Sequence, residues 1–293
     1  MSDSLSLLDE ISVYSRSDGF HKIELNAYPD GIPWCAKPGP WCDGTNLTVL
    51  LRPRSLAAFA AGLFWVDAFN ERHPRAEACL VLPFIPGARQ DRLNDEGDWL
   101  FTARSVARMI NSRCFAQVVV LDPHSDVSPA LIDRCKVVKS HAIECVCSEL
   151  EKNKYAAVVS PDAGAEKRAA AFANRLCIPL IHAWKSRNIA DGKISGFGHE
   201  PIPRGKLLIV DDICDGGGTF VGLVKTFENQ ELSDLFITHG LFSKGPEEVS
   251  SAFERVFCTD SIPVFHEGIH RIHVCEQLEI GRASCRERVL RLV

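Results

Sequence analysis

From about residue 46 the chain alternates short aliphatic runs with longer stretches whose apolar residues recur at three- and four-residue spacing. That alternation constrains the fold more than any other feature. NLTVLLRP (46–53), ACLVLPFI (78–85) and AQVVVLDPHSD (116–126) read as strands, separated by LAAFAAGLFWVDAFNER (56–72) and FTARSVARMINSR (101–113), which read as helices. After about residue 141 the alternation restarts. HAIECVCSELEK (141–152), GAEKRAAAFANRL (164–176) and TFVGLVKTFENQ (219–230) are expected helices; YAAVVSPD (155–162), IPLIHAWK (178–185), LLIVDD (207–212) and DLFITHGLF (234–242) are expected strands. Strands alternating with helices predict an α/β fold of mostly parallel sheets flanked by helices. The halves echo one another, each with a strand that ends in a proline turn near basic residues and a later strand that ends in Asp. Two similar domains are expected, residues 1–141 and 142–280, followed by an atypical Arg-rich tail, 281–293.

Composition narrows the function. Lys plus Arg number 33 against 38 Asp plus Glu, a net charge of −5 with no basic run of the kind that follows a phosphate backbone, so nucleic acid is not an expected partner. The N-terminus carries no basic leader with an apolar block, and no stretch approaches the ~18 apolar residues of a membrane span, so a cytoplasmic protein without membrane contact is expected. Twelve cysteines are scattered through apolar segments without the paired spacing of a zinc site, and buried free thiols are expected.

The chemistry concentrates in LLIVDDICDGGGTF, residues 207–220. Carboxyl ends of parallel strands are where open α/β sheets place ligands. Asp211 and Asp212 are expected at such an end, followed by Asp215, Gly216, Gly217, Gly218 and Thr219. Glycines allow positive φ and close backbone approach, and the following helix start favours an anion. Aspartates do not suit phosphate, but they accept hydrogen bonds from sugar hydroxyls or hold Mg²⁺. A phosphorylated sugar satisfies both ends of the loop, whereas an acidic helix cap leaves the adjacent aspartates unexplained. The G-x4-G-K-[ST] pattern of a P-loop is absent.

This loop resembles the phosphoribosyl-pyrophosphate loop shared by type I phosphoribosyltransferases and ribose-phosphate diphosphokinases. Further motifs resemble the diphosphokinases. PFIPGARQDR (83–92) is similar to their ATP-binding motif, which implies nucleotide binding by Arg89, Gln90, Asp91 and Arg92. In VVVLDPHSD, His124 matches the position whose histidine binds the Mg²⁺ of MgATP. VVSPDAGAEKRA (158–169) is similar to S-P-D-x-G-x-x-x-R-A, which places Asp162 near the ribose and its metal. HAWKSRN presents Lys185 and Arg187 at the K-x-R positions of a flexible catalytic loop, followed by the mobile-looking NIADGKISGFGHE. Fixed cations there offset charge that develops during phosphoryl transfer. THGLFSKG (238–245) is similar to T-H-x-x-F-S-x-G; His239 receives no role. YPDG (28–31) resembles F-S-D-G-E, which implies adenine contacts from Tyr28 and Asp30, with Ile32 in place of the glutamate.

The resemblance spans about residues 22 to 278 and implies two phosphoribosyltransferase-like domains, an N-terminal one that binds ATP and a C-terminal one that binds ribose phosphate. It implies a Mg²⁺-dependent enzyme, expected as a homo-oligomer, that transfers pyrophosphate from ATP to ribose 5-phosphate, giving phosphoribosyl pyrophosphate and AMP. DPHSDV, DDICDGG and THGLFSKG look most like a divergent branch found in phages and in NAD salvage, some members of which use ADP-ribose as acceptor. Gly216 stands where the family usually has threonine, which predicts a roomier, less polar phosphate pocket that suits ADP-ribose. A type I phosphoribosyltransferase and a non-catalytic regulatory homologue are the competing readings.

Overall fold

In a computed structural model that describes residues 11–15, 19–35, 47–93, 100–187, 194–227, 233–263, 266–275 and 278, the chain divides into two compact units. They are Met1–Val138 with Cys275–Val293, and Lys139–Val274. The Arg-rich stretch 281–293, Cys42 and much of the N-terminal leader region lie outside the described residues.

The strands of the first unit are β1 (Ile11–Ser15), β2 (Gly19–Lys22), β3 (Leu25–Ala27), β4 (Pro33–Cys35), β5 (Leu47–Leu51), β6 (Ala78–Val81), β7 (Gln117–Leu121) and β8 (Cys135–Val138). Its helices are α1 (Leu56–Arg72), α2 (Thr102–Asn111) and α3 (Val127–Leu131). The main sheet has the order β2-β1-β5-β6-β7-β8. The run β5 to β8 is parallel, while β1 is antiparallel to both its neighbours. α1 starts where the Ser55 hydroxyl accepts from the Ala58 amide at 3.1 Å, an N-cap that fills one orphan donor of the first turn. Its periodic Phe59, Leu63 and Val66 are sealed into a core with Leu80, Val118 and Val120.

The second unit contains a 3-10 turn (Ser140–Ala142), then α4 (Glu144–Glu151), β9 (Ala157–Ser160), α5 (Glu166–Leu176), β10 (Leu180–Arg187), β11 (Ile194–His199) and β12 (Leu207–Cys214). α6 (Gly218–Val224), β13 (Ser233–Gly240), α7 (Glu247–Ala252), β14 (Arg255–Thr259) and β15 (Ile269–Ile272) complete it. Its seven strands have the order β11-β10-β9-β12-β13-β14-β15, parallel except for the β10–β11 hairpin. The chain leaves β9 for β10 on one side and returns with β12 on the other. The order of parallel strands therefore reverses between β9 and β12, and such a reversal opens a crevice at the carboxyl ends of the two strands. β13, next to β12, is buried along its whole length, as a strand covered on both faces must be.

Three sequence expectations change. ISGFGH, expected within a mobile loop, forms β11, held antiparallel to β10 from Ala183↔His199 to Arg187↔Ile194; residues 188–193 lie outside the described residues. Trp184 crosses β11 at Gly198, and Phe197 lies against Gly222 of α6; a Cβ at either glycine would collide with the ring. These ring contacts, visible only in three dimensions, make a strand of a Gly-rich stretch. α6 ends at Val224, well before the expected Gln230. Among the thiols, Cys147, Cys214 and Cys258 are buried, but Cys114 and Cys177 are exposed. Both exposed cysteines adopt positive φ (51° and 54°) just after a helix, a terminating position that sits at the surface.

Candidate functional site

β12 runs to Cys214, two residues past the expected end at Asp212, so Asp211 and Asp212 lie within its last paired stretch as strand residues. Their pairing with β13 explains the extension: Asp211 stands opposite Ile237, and Ile213 and Cys214 opposite His239 and Gly240. The Asp211 carboxylate folds back on the Asp212 amide at 2.8 Å, and that of Asp212 on the Ile213 amide at 2.9 Å. One guanidinium serves both: Arg168 of α5 lies 3.6 Å from Asp211 Oδ1 and 4.0 Å from Asp212 Oδ2. All three side chains are at most 15% exposed. Burial, reinforced by the adjoining Asp212 carboxylate, pushes the Asp211 carboxyl well above its ordinary value, and the pull of Arg168 is the smaller effect. Two adjacent carboxylates beside a guanidinium at the carboxyl end of a strand can accept sugar hydroxyls or meet a second cation.

The other wall of the reversal point is the end of β9. Ser160 Oγ donates to the Asp162 carbonyl at 2.8 Å. Asp162 Oδ1 accepts from the amides of Gly164 (2.9 Å) and Ala165 (3.2 Å), which delays α5 to Glu166. The second oxygen of Asp162 receives Lys185 Nζ at 2.6 Å. Lys185 reaches it because β10 is parallel to β9 and extends past its end. The backbone of Arg187 closes β10 after a register shift at Ser186/Arg187; the Arg187 side chain lies outside the described residues.

The glycine run differs residue by residue. Gly217 has φ +75°, and a Cβ there would strike Val249 of α7, so only glycine fits. Gly218 faces open space. A Cβ on Gly216 would lie 3.4 Å from Cδ and Cε of Lys244, so a lysine stem borders the space beside this glycine. Thr219 is half-buried in the first turn of α6, and Asp215 is half-buried before it. The 240–245 segment closes over the loop: Leu241 and Phe242 amides donate to the Cys214 carbonyl (2.9 and 3.1 Å), and the Ser243 amide donates to that of Asp215 (3.1 Å). Phe242 pays for the turn with a φ of 45°. Buried Cys214 has its thiol pushed up to about 12, chiefly by desolvation, which keeps it protonated and inert. His239 is buried and bonded to Ser261 Oγ at 2.9 Å, a structural setting.

The second unit thus gathers Asp162, Lys185, Asp211, Asp212 and residues 215–219 at the carboxyl end of its sheet, and adds Arg168 and Lys244, which had no assignment from sequence. Arg168 was visible as the arginine of SPDAGAEKRA; nothing local marked Lys244.

In the first unit, the parallel pair β6 and β7 sends two loops to one edge. The β6 loop turns at Gly87 (φ +71°), is tied to α2 by Ala103 N to Gln90 O at 3.1 Å, and presents exposed Arg89, Gln90 and Arg92 with half-buried Asp91. The β7 loop starts at buried Asp122, whose φ of 39° is strained for a non-glycine residue and whose amide donates to Val138 O at 2.7 Å. It presents exposed His124. Tyr28 and Asp30 occupy the tip of the β3–β4 hairpin. The Asp30 carboxylate accepts from the Ile32 amide at 3.1 Å, and the Tyr28 and Trp34 rings stand 6.1 Å apart. Tyr28, Ile32 and Trp34 are all exposed.

Comparison with known proteins agrees with this architecture. Residues 134–271 match the phosphoribosyl transferase domain family. The ribose-phosphate pyrophosphokinase of Corynebacterium efficiens is 30% identical over 217 residues, 70% of this chain and 66% of that relative. That of Aquifex aeolicus is 31% identical over 227 residues, covering 72% and 70%. That of Thermococcus kodakarensis is 26% identical over 261 residues, covering 88% and 90%. The match thus takes in just under two thirds of the first of these relatives. The crystal structure of phosphoribosylpyrophosphate synthetase from Mycobacterium smegmatis superposes with a TM-score of 0.77 at 21% identity, over 91% of this chain and 90% of that one, and shares the fold.

Proposed function

The chain belongs to the ribose-phosphate pyrophosphokinase family, and from that premise we propose that it transfers the β,γ-diphosphoryl group of ATP to the anomeric hydroxyl of ribose 5-phosphate. The observation that carries the reading is the buried Asp211–Asp212 pair followed by a glycine run at the point where the strand order reverses. Asp211 and Asp212 accept hydrogen bonds from the ribose hydroxyls, and Asp215 with Gly216, Gly217, Gly218 and Thr219 holds the 5′-phosphate. Arg89, Gln90, Asp91 and Arg92, with Tyr28 and Asp30, hold the nucleotide. The anomeric oxygen attacks the β-phosphorus and loses its proton, the bond to the α,β-bridging oxygen breaks, and AMP leaves with the electron pair. Lys185 and Arg187 offset the charge that develops on the transferred group, and Lys185 exchanges its bond to Asp162 for one to phosphate.

Mg²⁺ supplies further charge neutralisation when bound. The part-exposed Asp162 carboxylate at the end of β9 suits Mg²⁺, which takes one or two protein ligands and completes its shell with phosphate oxygens and water. His124 would hold the Mg²⁺ carried by ATP, and Asp162 would hold a metal beside the ribose. No helix among the described residues is long and apolar enough to cross a membrane, and the setting we infer is a cytoplasmic homo-oligomer.

Product analysis tests the reading. The enzyme is incubated with ATP, Mg²⁺ and either ribose 5-phosphate or ADP-ribose, and the products are weighed by mass spectrometry. AMP with phosphoribosyl pyrophosphate is the expected outcome; activity confined to ADP-ribose would transfer the chemistry to that acceptor, and no AMP with either would refute it.

A further inference from the structure

Lys244 is the one cation that the 240–245 segment brings to the glycine run, and nothing in the reaction described above uses it. Its Cγ, Cδ and Cε pass 3.8, 3.4 and 3.4 Å from where a residue-216 side chain would begin, and its ammonium lies one bond beyond Cε. Gly216 is absent from the residues with positive φ, so neither its backbone conformation nor a backbone collision demands glycine. What the glycine does is leave the lysine stem room to lie along the loop. The backbone leading to Lys244 is held against the loop by the three amide bonds that tie residues 241–243 to the carbonyls of Cys214 and Asp215. Gly245, with φ +85°, lets the chain turn away immediately after the lysine. No hydrogen bond or ion pair engages the Lys244 ammonium among the described residues, and the side chain is exposed, so its charge is available to a ligand.

We propose that Lys244 is a specificity-determining residue for the acceptor, its ammonium binding the phosphate on C5 of the ribose held by the 215–219 loop. This rests on the functional reading above and deepens it, because it assigns the charge for the acceptor phosphate to a side chain outside the loop. The loop itself offers amides and the Thr219 hydroxyl but no cation, whereas a phosphate monoester carries close to two negative charges at neutral pH. A charge-assisted hydrogen bond from an ammonium answers that need, and it favours a terminal monoester over an esterified, singly charged phosphate.

The test separates charge from packing. Lys244→Met keeps the stem against Gly216 and removes the charge; Lys244→Arg keeps the charge. With Lys244→Met the KM for ribose 5-phosphate is expected to rise roughly tenfold or more, with the KM for ATP and kcat within about twofold of wild type; Lys244→Arg restores most of the loss. Calorimetric titration of each protein with ribose 5-phosphate alone reads the same change as a weakened Kd and does not depend on turnover. Wild-type binding that weakens in Lys244→Met supports the assignment even if no AMP is ever formed, in which case only the transfer reading fails. An unchanged Kd or KM in Lys244→Met, equal changes in the KM for ATP, or no binding of ribose 5-phosphate by the wild type would overturn it.

Discussion

The two ends of the second unit's sheet treat buried aspartate in opposite ways. At the amino end of β13, Asp234 is wholly buried and met by three donors: the Tyr155 hydroxyl at 2.7 Å, Lys206 Nζ at 2.9 Å and Arg255 NH2 at 3.2 Å. At the carboxyl end of β12, two aspartates share one guanidinium at 3.6 and 4.0 Å. The first arrangement surrounds one charge with a hydroxyl donor and two cations and serves stability. The second sets two carboxylates side by side, a like-charge pair in which burial and the neighbouring carboxylate raise Asp211, and perturbed groups of this kind cluster where ligands bind. The contrast sorts charged residues by role better than burial alone, since both groups are nearly inaccessible.

The comparison can be broken most forcefully at the amino end. Asp234→Ala removes the acceptor of the buried Tyr155 hydroxyl and leaves Lys206 and Arg255 to Glu254 alone, and should cost about 3 kcal/mol in urea unfolding while the folded fraction keeps its KM values. At the other end Lys185→Ala should lower kcat by roughly 10²- to 10³-fold and shift the unfolding free energy by no more than about 1 kcal/mol, because the pair with Asp162 is still partly open to solvent. If the two substitutions exchanged their effects, the division into a structural and a functional end would be wrong. Within the glycine run, Gly217→Ala meets both positive φ and Val249 and should cost about 2 kcal/mol or more, whereas Gly218→Ala, in open space, should stay within about 0.5 kcal/mol.

The smallest effect is the pH dependence. Asp211 has its carboxyl raised in the folded state, so the folded protein holds that proton more tightly than the unfolded chain. The sign follows: as pH rises from the ordinary carboxylate range towards the raised value, this group removes stability rather than adding it. Asp211→Asn should flatten that decline and raise the melting temperature of the ligand-free protein slightly at neutral pH, while it weakens acceptor binding. A steeper decline in the variant would show that Arg168 outweighs burial.

Much of this was legible in sequence because it is local. The 56–72 helix was read to the residue, and the alternation implied the parallel sheets. What escaped depends on residues far apart in the chain. β11 exists because Trp184 and Phe197 rest on Gly198 and Gly222, and β12 continues past Asp212 to Cys214 because β13 pairs with Ile213 and Cys214. β1, β2, β8, β14 and β15 are short strands whose apolar pattern is no clearer than that of a loop. The lysine stem beside Gly216 belongs to Lys244, 28 positions on, which a linear reading cannot place there.

The central claim is that the carboxyl end of this sheet receives a diphosphoryl group at a sugar oxygen. ATP labelled at the β-phosphorus with ³²P tests it most directly, with ribose 5-phosphate as acceptor and the products separated after a single turnover. All of the label should appear in the sugar diphosphate, with AMP unlabelled and equimolar. Label retained in ADP would mean transfer of the γ-phosphoryl group alone, and label in free pyrophosphate would mean hydrolysis; either result would contradict the account.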